Sequence, residues 1–357
     1  MSAQVSRTEV AETEPIEVNT VETTPAAPSL SQRFFNVRTL LSFGLGFAIL
    51  AFLFTRVQID VGAIVDRVRQ ANVWLLAAAL VVFYLTFPIR AVRWRRLLDN
   101  VEVSTHEEGG RRLGTAGLSE IMFLAWFANC IVPAKLGDVY RAYLLKLNVG
   151  VSFSTTIGTV LAERIVDVVI LFALMLAATW LSFGQAVPGD VLTVMQLGMV
   201  LVVAVVIGLI SMRRLRPLIE RVLPARFHAQ YAKFEHGTLN SFRGIPVLVV
   251  LTVVAWAAEV GRLWLVTLSL GLGGISQSVI VFVALAAALM TTLPLTPAGL
   301  GFAEGAIVGV FLLAAKAGLA PGVDEHAAAS IALLDRGISY WSLIALGLIV
   351  YPLSRKK

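Results

Sequence analysis

The chain has 357 residues, of which 57% are hydrophobic and 15% are charged, and its formal net charge is +6. A soluble domain of this size needs far more polar surface, so the composition excludes a soluble globular protein and indicates several transmembrane helices. No segment alternates in hydropathy as a barrel strand does, which favours a helical bundle over an outer-membrane barrel. The single cysteine, Cys130, excludes an intrachain disulfide and a multi-cysteine metal site.

Residues 1–32 differ from the rest because they are rich in glutamate, threonine and proline. Such a segment cannot bury enough apolar surface to fold, so we predict a disordered, acidic, cytoplasmic tail. Residues 33–354 are predicted to form a single transmembrane helical domain, and residues 355–357 a basic cytoplasmic end. The charged clusters beside apolar segments are typical of membrane topology signals and not of a nucleic-acid-binding patch.

Apolar stretches predict six full spans along the chain. They lie at about 37–54, 74–89, 153–181, 191–210, 245–270 and 327–351. Between the first two, residues 59–68 have the apolar spacing of an interfacial amphipathic helix.

Orientation follows from the distribution of lysine and arginine. Basic loops are predicted at 90–112 and from 213 to 243, whereas the loop at 182–190 has no Lys or Arg. We therefore predict that the basic loops and both termini are cytoplasmic and that 182–190 lies outside. Residues 115–147 must then leave and return on the inner side, and residues 276–317 on the outer side. We predict two re-entrant broken-helix hairpins; eight full spans are the alternative.

Both hairpins contain a break rich in proline and glycine. The breaking residues are Pro133 and Gly137 in the first hairpin, and Pro294, Pro297, Gly299 and Gly301 in the second. A half-helix that begins after such a break exposes unpaired N–H groups and the positive end of its dipole, which favour an anion. Interrupted segments at matching places in two halves indicate a transport site.

The two halves are predicted to form an inverted repeat, at about 73–181 and 245–352. Matching markers are Arg90 and Arg93 with Glu259 and Arg262, Pro133 with Pro297, and Glu163-Arg164 with Asp335-Arg336.

Charges at bilayer depth are costly, so they pair or line a wet cavity. We predict that the headgroup of an anionic substrate contacts Lys135, Arg141, Arg164 and Arg336. Pairing or proton coupling is predicted for Asp138, Glu163, Asp167, Glu259, Arg262, Glu304 and Asp335. Arg164 and Asp167 share a helix face, as do Glu259 and Arg262. Glu163 and Asp167 also share a face and need a cation or a proton between them. For any single pair, simple helix association is the alternative.

At these residues the chain resembles the transmembrane region of lysylphosphatidylglycerol synthases and their stand-alone flippase-like relatives. The matching pieces, in order, are Arg90-x-x-Arg93-Trp94-x-x-Leu97-Leu98, Asn129-x-x-x-Pro133-x-Lys135-x-Gly137-Asp138-x-x-Arg141, Glu163-Arg164-x-x-Asp167, Pro294-x-x-Pro297-x-Gly299-x-Gly301-x-x-Glu304 and Leu334-x-Arg336-x-x-Ser339-Tyr340-Trp341. Asp138 stands where the family is associated with Glu. The resemblance implies a multi-pass protein of the plasma (inner) membrane that moves a lipid between leaflets. In the synthases a soluble aminoacyl-transferase domain follows; here the chain ends at Lys357, so we expect no synthase activity.

The resulting hypothesis is a flippase-like translocator of an anionic phospholipid or a lipid-linked glycan, with no cofactor and no metal. Its partners would be membrane lipids, anionic or polyprenyl-linked, and not nucleic acid; a homo-oligomer or a partner lipid-modifying enzyme stays open. One alternative is a membrane-embedded enzyme in which Glu163 and Asp167 act as an acid–base pair. A membrane scaffold or a carrier of small solutes is the other.

Overall fold

The structure, a computed structural model, describes residues 37–56, 60–103, 113–183, 189–292 and 295–356. The predicted tail at 1–32, Pro294 and Lys357 lie outside the described residues. Within the described ranges the secondary structure is helical and contains no strand, which confirms the predicted all-α fold.

The helices are α1 (Val37–Arg56), α2 (Val61–Gln70), α3 (Val73–Asn100), α4 (Thr115–Ile131), α5 (Leu136–Val149), α6 (Phe153–Phe183), α7 (Gly189–Val222), α8 (His228–Leu239), α9 (Ile245–Ser269), α10 (Gln277–Thr292), α11 (Phe302–Lys316), α12 (Glu325–Arg336) and α13 (Ser342–Leu353).

Five helices of the described residues are long and apolar enough to cross a membrane, so the protein is a multi-pass membrane protein. They are Val73–Asn100, Val191–Val222, Ile245–Ser269, Pro297–Lys316 and Glu325–Leu353. Four of them overlap predicted spans over nearly the whole predicted length, and Pro297–Lys316 lies in the second limb of the predicted outer hairpin. The last combines α12 and α13, which a π-helical turn at Gly337–Trp341 joins.

The predicted loop after the second span is wrong in its first part. Helix α3 continues to Asn100, and the Arg90 and Arg93 side chains are buried within it, with 3% and 1% of their surface exposed. Carboxylates on neighbouring helices neutralise both charges, as described below, so the helix does not need to end where its apolar sequence ends. The basic stretch from Arg213 likewise begins as a continuation of α7, not as a loop.

Both broken segments fold as helical hairpins. Helices α4 and α5 pack against each other, as do α10 and α11, so the chain reverses direction at each break. Helices α4 and α5 have 17 and 14 residues, which at about 1.5 Å per residue span roughly 26 and 21 Å. Both are shorter than a hydrocarbon core of ~30 Å, which suits hairpins that enter without crossing.

Left-handed backbone makes both breaks. Ala134 and Lys135 have φ angles of 64° and 56° in the first break, and Ala298 and Gly301 have 44° and 85° in the second. Such angles are rare for residues that carry a Cβ atom, so tertiary contacts must hold both breaks. In the first, the Gly137 N–H donates to Asn129 Oδ1 at 2.8 Å. The second lies against α1, since a Cβ on Gly301 would be 2.8 Å from the Gly46 carbonyl oxygen.

The matching helices of the two predicted half-repeats, α3 and α9, pack along each other. The main apolar core surrounds this contact and includes Phe83, Phe87, Trp94, Leu97 and Leu98 of α3. Near the first break, the Tyr340 hydroxyl donates to the Cys130 carbonyl oxygen at 3.0 Å and ties the π-helical turn to the end of α4. The core therefore brings both breaks to one region.

The hairpin topology predicts that both ends of a hairpin are on one side of the membrane. In a Cys130→Ala background, single cysteines at Ala116 and Leu147 should both resist a membrane-impermeant maleimide in intact cells. Single cysteines at Gly273 and Lys316 should both react with it. If each segment crossed the membrane once, one cysteine of each pair would react and the other would not. That labelling pattern would contradict the hairpins.

Gly137 has no room for a side chain, because a Cβ there would lie 2.0 Å from the Ala125 carbonyl oxygen. We expect Gly137→Ala to lower the free energy of unfolding by roughly 1–3 kcal/mol through overpacking. The matched control is Gly208→Ala in α7, where a Cβ meets no atom within 4 Å and alanine favours the helix by about 0.5–1 kcal/mol. Unfolding of the purified protein in detergent, followed by tryptophan fluorescence, measures both. Equal stability of the two variants would show that the break is not tightly packed.

Candidate functional site

A cavity that is open on one side lies between the two breaks. Its empty space, including the space at the opening, is about 1260 Å³. Val132 and Lys135 line it from the first break, and Thr296 and Ala298 from the second. Helices α3, α4, α6, α9, α10, α11 and the α12–α13 helix supply the remaining wall. The wall carries both charged side chains and apolar ones, and the apolar ones include Leu171, Leu263, Ala284, Ala287, Ala288, Ile307 and Leu343. A cavity of this kind suits an amphiphile with a polar head and an apolar body.

The first ion cluster surrounds the buried guanidinium of Arg93. Arg93 donates to Asp167 Oδ1 at 2.5 Å, to Glu163 Oε1 at 2.7 Å and to Thr252 Oγ1 at 2.9 Å. The other Glu163 oxygen accepts from Arg141 at 2.9 Å. Glu163 and Asp167 were predicted to need a cation between them, and Arg93 is that cation.

Arg164 connects this cluster to the first break. Its guanidinium donates to both oxygens of Asp138, at 2.8 and 3.0 Å, and to Asp167 at 3.3 Å. Asp138 lies in the first turn of α5, where a carboxylate also stabilises the positive end of the helix dipole. The pair therefore fixes the beginning of α5 against α6.

A second cluster joins α3, α9 and α12. Arg262 donates to Asp335 Oδ1 at 2.9 Å and also pairs with Glu259. The other Glu259 oxygen accepts from Arg90 at 3.2 Å. The predicted interaction between Glu259 and Arg262, three residues apart on one helix, is confirmed.

Arg90 also lies between two aromatic rings of the cavity wall. Its guanidinium carbon is 4.8 Å from the centre of the Trp126 ring and 5.6 Å from that of Trp256. Such cation–π contacts hold a buried guanidinium without using its hydrogen-bond donors.

A third pair holds the second break. Arg336 donates to Glu304 Oε1 at 2.9 Å and to the Ala298 carbonyl oxygen at 3.1 Å. The other Glu304 oxygen accepts from the Gly301 N–H at 2.7 Å and thereby caps the beginning of α11. Glu304 therefore both caps the beginning of α11 and pairs with Arg336.

The two halves use equivalent pairs at equivalent places. In each, an arginine on the helix after the hairpin binds a carboxylate in the first turn of the hairpin's second limb. The pairs are Arg164 with Asp138, and Arg336 with Glu304. This correspondence supports the internal repeat that was predicted from the markers at these positions.

Among the described residues of these clusters, six arginines pair with six carboxylates. The arginines are Arg90, Arg93, Arg141, Arg164, Arg262 and Arg336, and the carboxylates are Asp138, Glu163, Asp167, Glu259, Glu304 and Asp335. Lys135, which lines the cavity, makes no hydrogen bond or ion pair within the described part of the chain. The clusters together therefore carry one unmatched positive charge, at the first break.

Three of the four residues that were predicted to contact a headgroup come together at the cavity. Lys135, Arg164 and Arg336 line the cavity, whereas Arg141 is fully buried and does not. Arg141 pairs with Glu163 and stacks on Trp94, with its guanidinium carbon 4.7 Å from the ring centre. It therefore supports the cluster from behind the cavity wall.

Sequence reasoning missed several lining residues, namely Trp126, Trp256, Thr296 and Ser339, and it assigned Arg90 only as a repeat marker in a loop. A signal was present for Arg90, because Arg90 and Arg93 have the spacing of one helix face directly after an apolar run. The aromatic and hydroxyl residues carry no such signal, since their types are common in membrane helices.

The amino-acid sequence is similar to those of known proteins. Residues 40–347 match the family model described as the lysylphosphatidylglycerol synthase TM region. A UPF0104 membrane protein of Methanocaldococcus jannaschii is 33% identical over 233 residues, which cover 63% of this chain and 93% of that protein. A UPF0104 membrane protein of Pyrococcus horikoshii is 23% identical over 82% of this chain and 90% of its own length.

A further relative is longer than this chain. The glycosyltransferase AglD of Haloferax volcanii is 27% identical over 343 residues, which cover 84% of this chain and 52% of that protein. The likeness thus extends over about half of AglD. The match of the family model to most of the chain, including both breaks and the residues around the cavity, shows that the protein belongs to the lysylphosphatidylglycerol synthase transmembrane-region family.

Proposed function

We propose that the protein moves a lipid with an anionic headgroup, a phospholipid or a lipid-linked glycan, between the two leaflets of the plasma membrane. The headgroup passes through the cavity between the two breaks while the apolar chains remain in the bilayer. The observation that carries the proposal is the unmatched Lys135 in a cavity whose wall carries both charged and apolar side chains. Both termini are cytoplasmic in this proposal.

Features of both breaks support an anionic headgroup. Lys135 is the residue before α5, so its ammonium group and the N-terminal end of that helix act on the same region. Arg164 and Arg336 also line the cavity, although a carboxylate neutralises each of them. The likeness to a protein named as a glycosyltransferase favours a lipid that carries a sugar.

The enzyme alternative has weaker support. Glu163 is 1% exposed and accepts hydrogen bonds from Arg93 and Arg141, and Asp167 accepts from Arg93 and Arg164. A general base needs a carboxylate oxygen within reach of the substrate, whereas Glu163 is buried and both acids are held by two arginines each. We propose that these acids maintain the shape of the cavity and do not transfer protons to a substrate.

Filling the cavity should stop transport. Ala288 lines it on α10, so Ala288→Trp places a large ring in the path of the headgroup. In liposomes with fluorescent anionic lipids, we expect this variant to reduce translocation to near the rate of protein-free liposomes. Ala257→Trp, at an exposed position of α9 outside the cavity wall, should transport as the wild type does. Equal rates for a folded Ala288→Trp variant and the wild type would contradict the proposed path.

The pair of Arg336 and Glu304 is proposed to hold the second break beside the cavity. Removing one partner leaves a buried charge without its counterion, so Arg336→Gln and Glu304→Gln should each lower the free energy of unfolding by ~3–5 kcal/mol. The double variant should lose clearly less than the sum, because it leaves neither charge unpaired. Unfolding in detergent measures all three variants. Additive losses would mean that the two side chains do not interact energetically.

A further inference from the structure

Several polar groups of the cavity have no hydrogen-bond partner within the described residues. They are the ammonium group of the half-buried Lys135 and four buried groups, namely the Arg90 Nε–H, the Trp256 Nε1–H and the hydroxyls of Thr296 and Ser339. Arg90, Thr296 and Trp256 are all more than nine-tenths buried. The first three groups can only donate, and the hydroxyls can donate as well as accept. Buried donors without partners are rare, so such a set favours a ligand rich in acceptor oxygens.

The carboxylates of the cavity already have arginine counterions. The carboxylates that line it are those of Asp167, Glu259 and Asp335, and each accepts from at least one arginine. A cationic headgroup would therefore add positive charge beside Lys135, and each carboxylate among the described residues that line the cavity is already balanced by an arginine. The cavity is therefore unfavourable to ammonium groups.

The net charge of the site limits the charge of its ligand. Six arginines and six carboxylates neutralise one another, and Lys135 leaves a charge of +1. A phosphodiester headgroup carries one negative charge and offers two free oxygens, so it would neutralise the site. A phosphomonoester carries about −1.5 to −2 at pH 7 and would leave an excess of negative charge at bilayer depth.

We infer that the cavity selects lipids whose headgroup is a phosphodiester with one net negative charge, bound through Lys135 and the unpaired donors around it. It disfavours aminoacylated, cationic headgroups, even though the family takes its description from a lysyl-phospholipid synthase. The inference rests on the proposed function and names the class of its substrate.

Binding to the purified protein in detergent tests the charge rule. The probes share the same acyl chains and are phosphatidylglycerol, phosphatidic acid, phosphatidylcholine and lysyl-phosphatidylglycerol. A water-soluble arm uses glycerophosphoglycerol, the same phosphodiester without acyl chains. Thermophoresis gives the dissociation constants, and the unfolding midpoint of each variant confirms that it is folded.

We expect phosphatidylglycerol to bind more tightly than the other three lipids, and much more tightly than glycerophosphoglycerol. Lys135→Met should weaken its binding by about 10–100-fold, because a charge-assisted hydrogen bond to a buried site is lost. Lys135→Arg should retain most of the affinity. Lys316→Met, which removes an exposed lysine outside the cavity wall, should bind as the wild type does.

Tighter binding of phosphatidic acid or lysyl-phosphatidylglycerol, or an unchanged preference in folded Lys135→Met, would overturn the inference. Equal binding of glycerophosphoglycerol would also overturn it, since the ligand would then be a soluble phosphodiester.

Translocation in liposomes distinguishes failure of the proposed transport function from failure of the inferred headgroup selectivity. Transport of all four lipids at equal rates would contradict the selection of headgroups by charge and would support the proposed transport function. Charge-selective binding without any transport would support the inferred headgroup selectivity and contradict the proposed transport function.

Discussion

The pairing of buried arginines with carboxylates is the constraint on which the rest of this structure depends. An uncompensated charge within the membrane is expensive, and so many charges in an apolar chain are tolerated only when each has a counterion on a neighbouring helix. The pairs join α3 to α6 and α9, α5 to α6, and α9 and α11 to α12. Removing any one charge therefore affects the relative position of two helices and not only one side chain.

This pairing also explains how two broken hairpins can meet at one cavity. A break leaves backbone N–H groups and strained residues inside the membrane, where water is scarce. Asn129 and Glu304 satisfy N–H groups at the two breaks, and Arg336 satisfies a carbonyl at the second. The second break is thus stabilised by side chains from the same networks that hold the surrounding helices, and the first by Asn129 on α4.

The exception to the pairing gives the site its chemical character. The arginines and carboxylates of the network balance one another, so the charge that the proposed function assigns to an anionic headgroup is balanced by Lys135, which lines the cavity. Its position at the end of the first break places an ammonium group where the helix dipole has the same sign. In the proposed function the framework and the binding group are separate: the arginine–carboxylate pairs hold the cavity, and Lys135 binds the anionic headgroup.

The sequence by itself determined the helical class, the approximate spans, both breaks and most of the charged residues at the site, because hydropathy, proline–glycine interruptions and buried charges are local signals. It also predicted the pairs within one helix, such as Glu259 with Arg262, since three-residue spacing brings side chains together. Only the tertiary structure decided that Arg93 is the cation between Glu163 and Asp167, that Arg141 lies behind the cavity wall and that α3 continues past Arg90. These facts depend on which helices are neighbours. An ion pair between two helices cannot be identified from local sequence, because the two residues come together only in the folded protein.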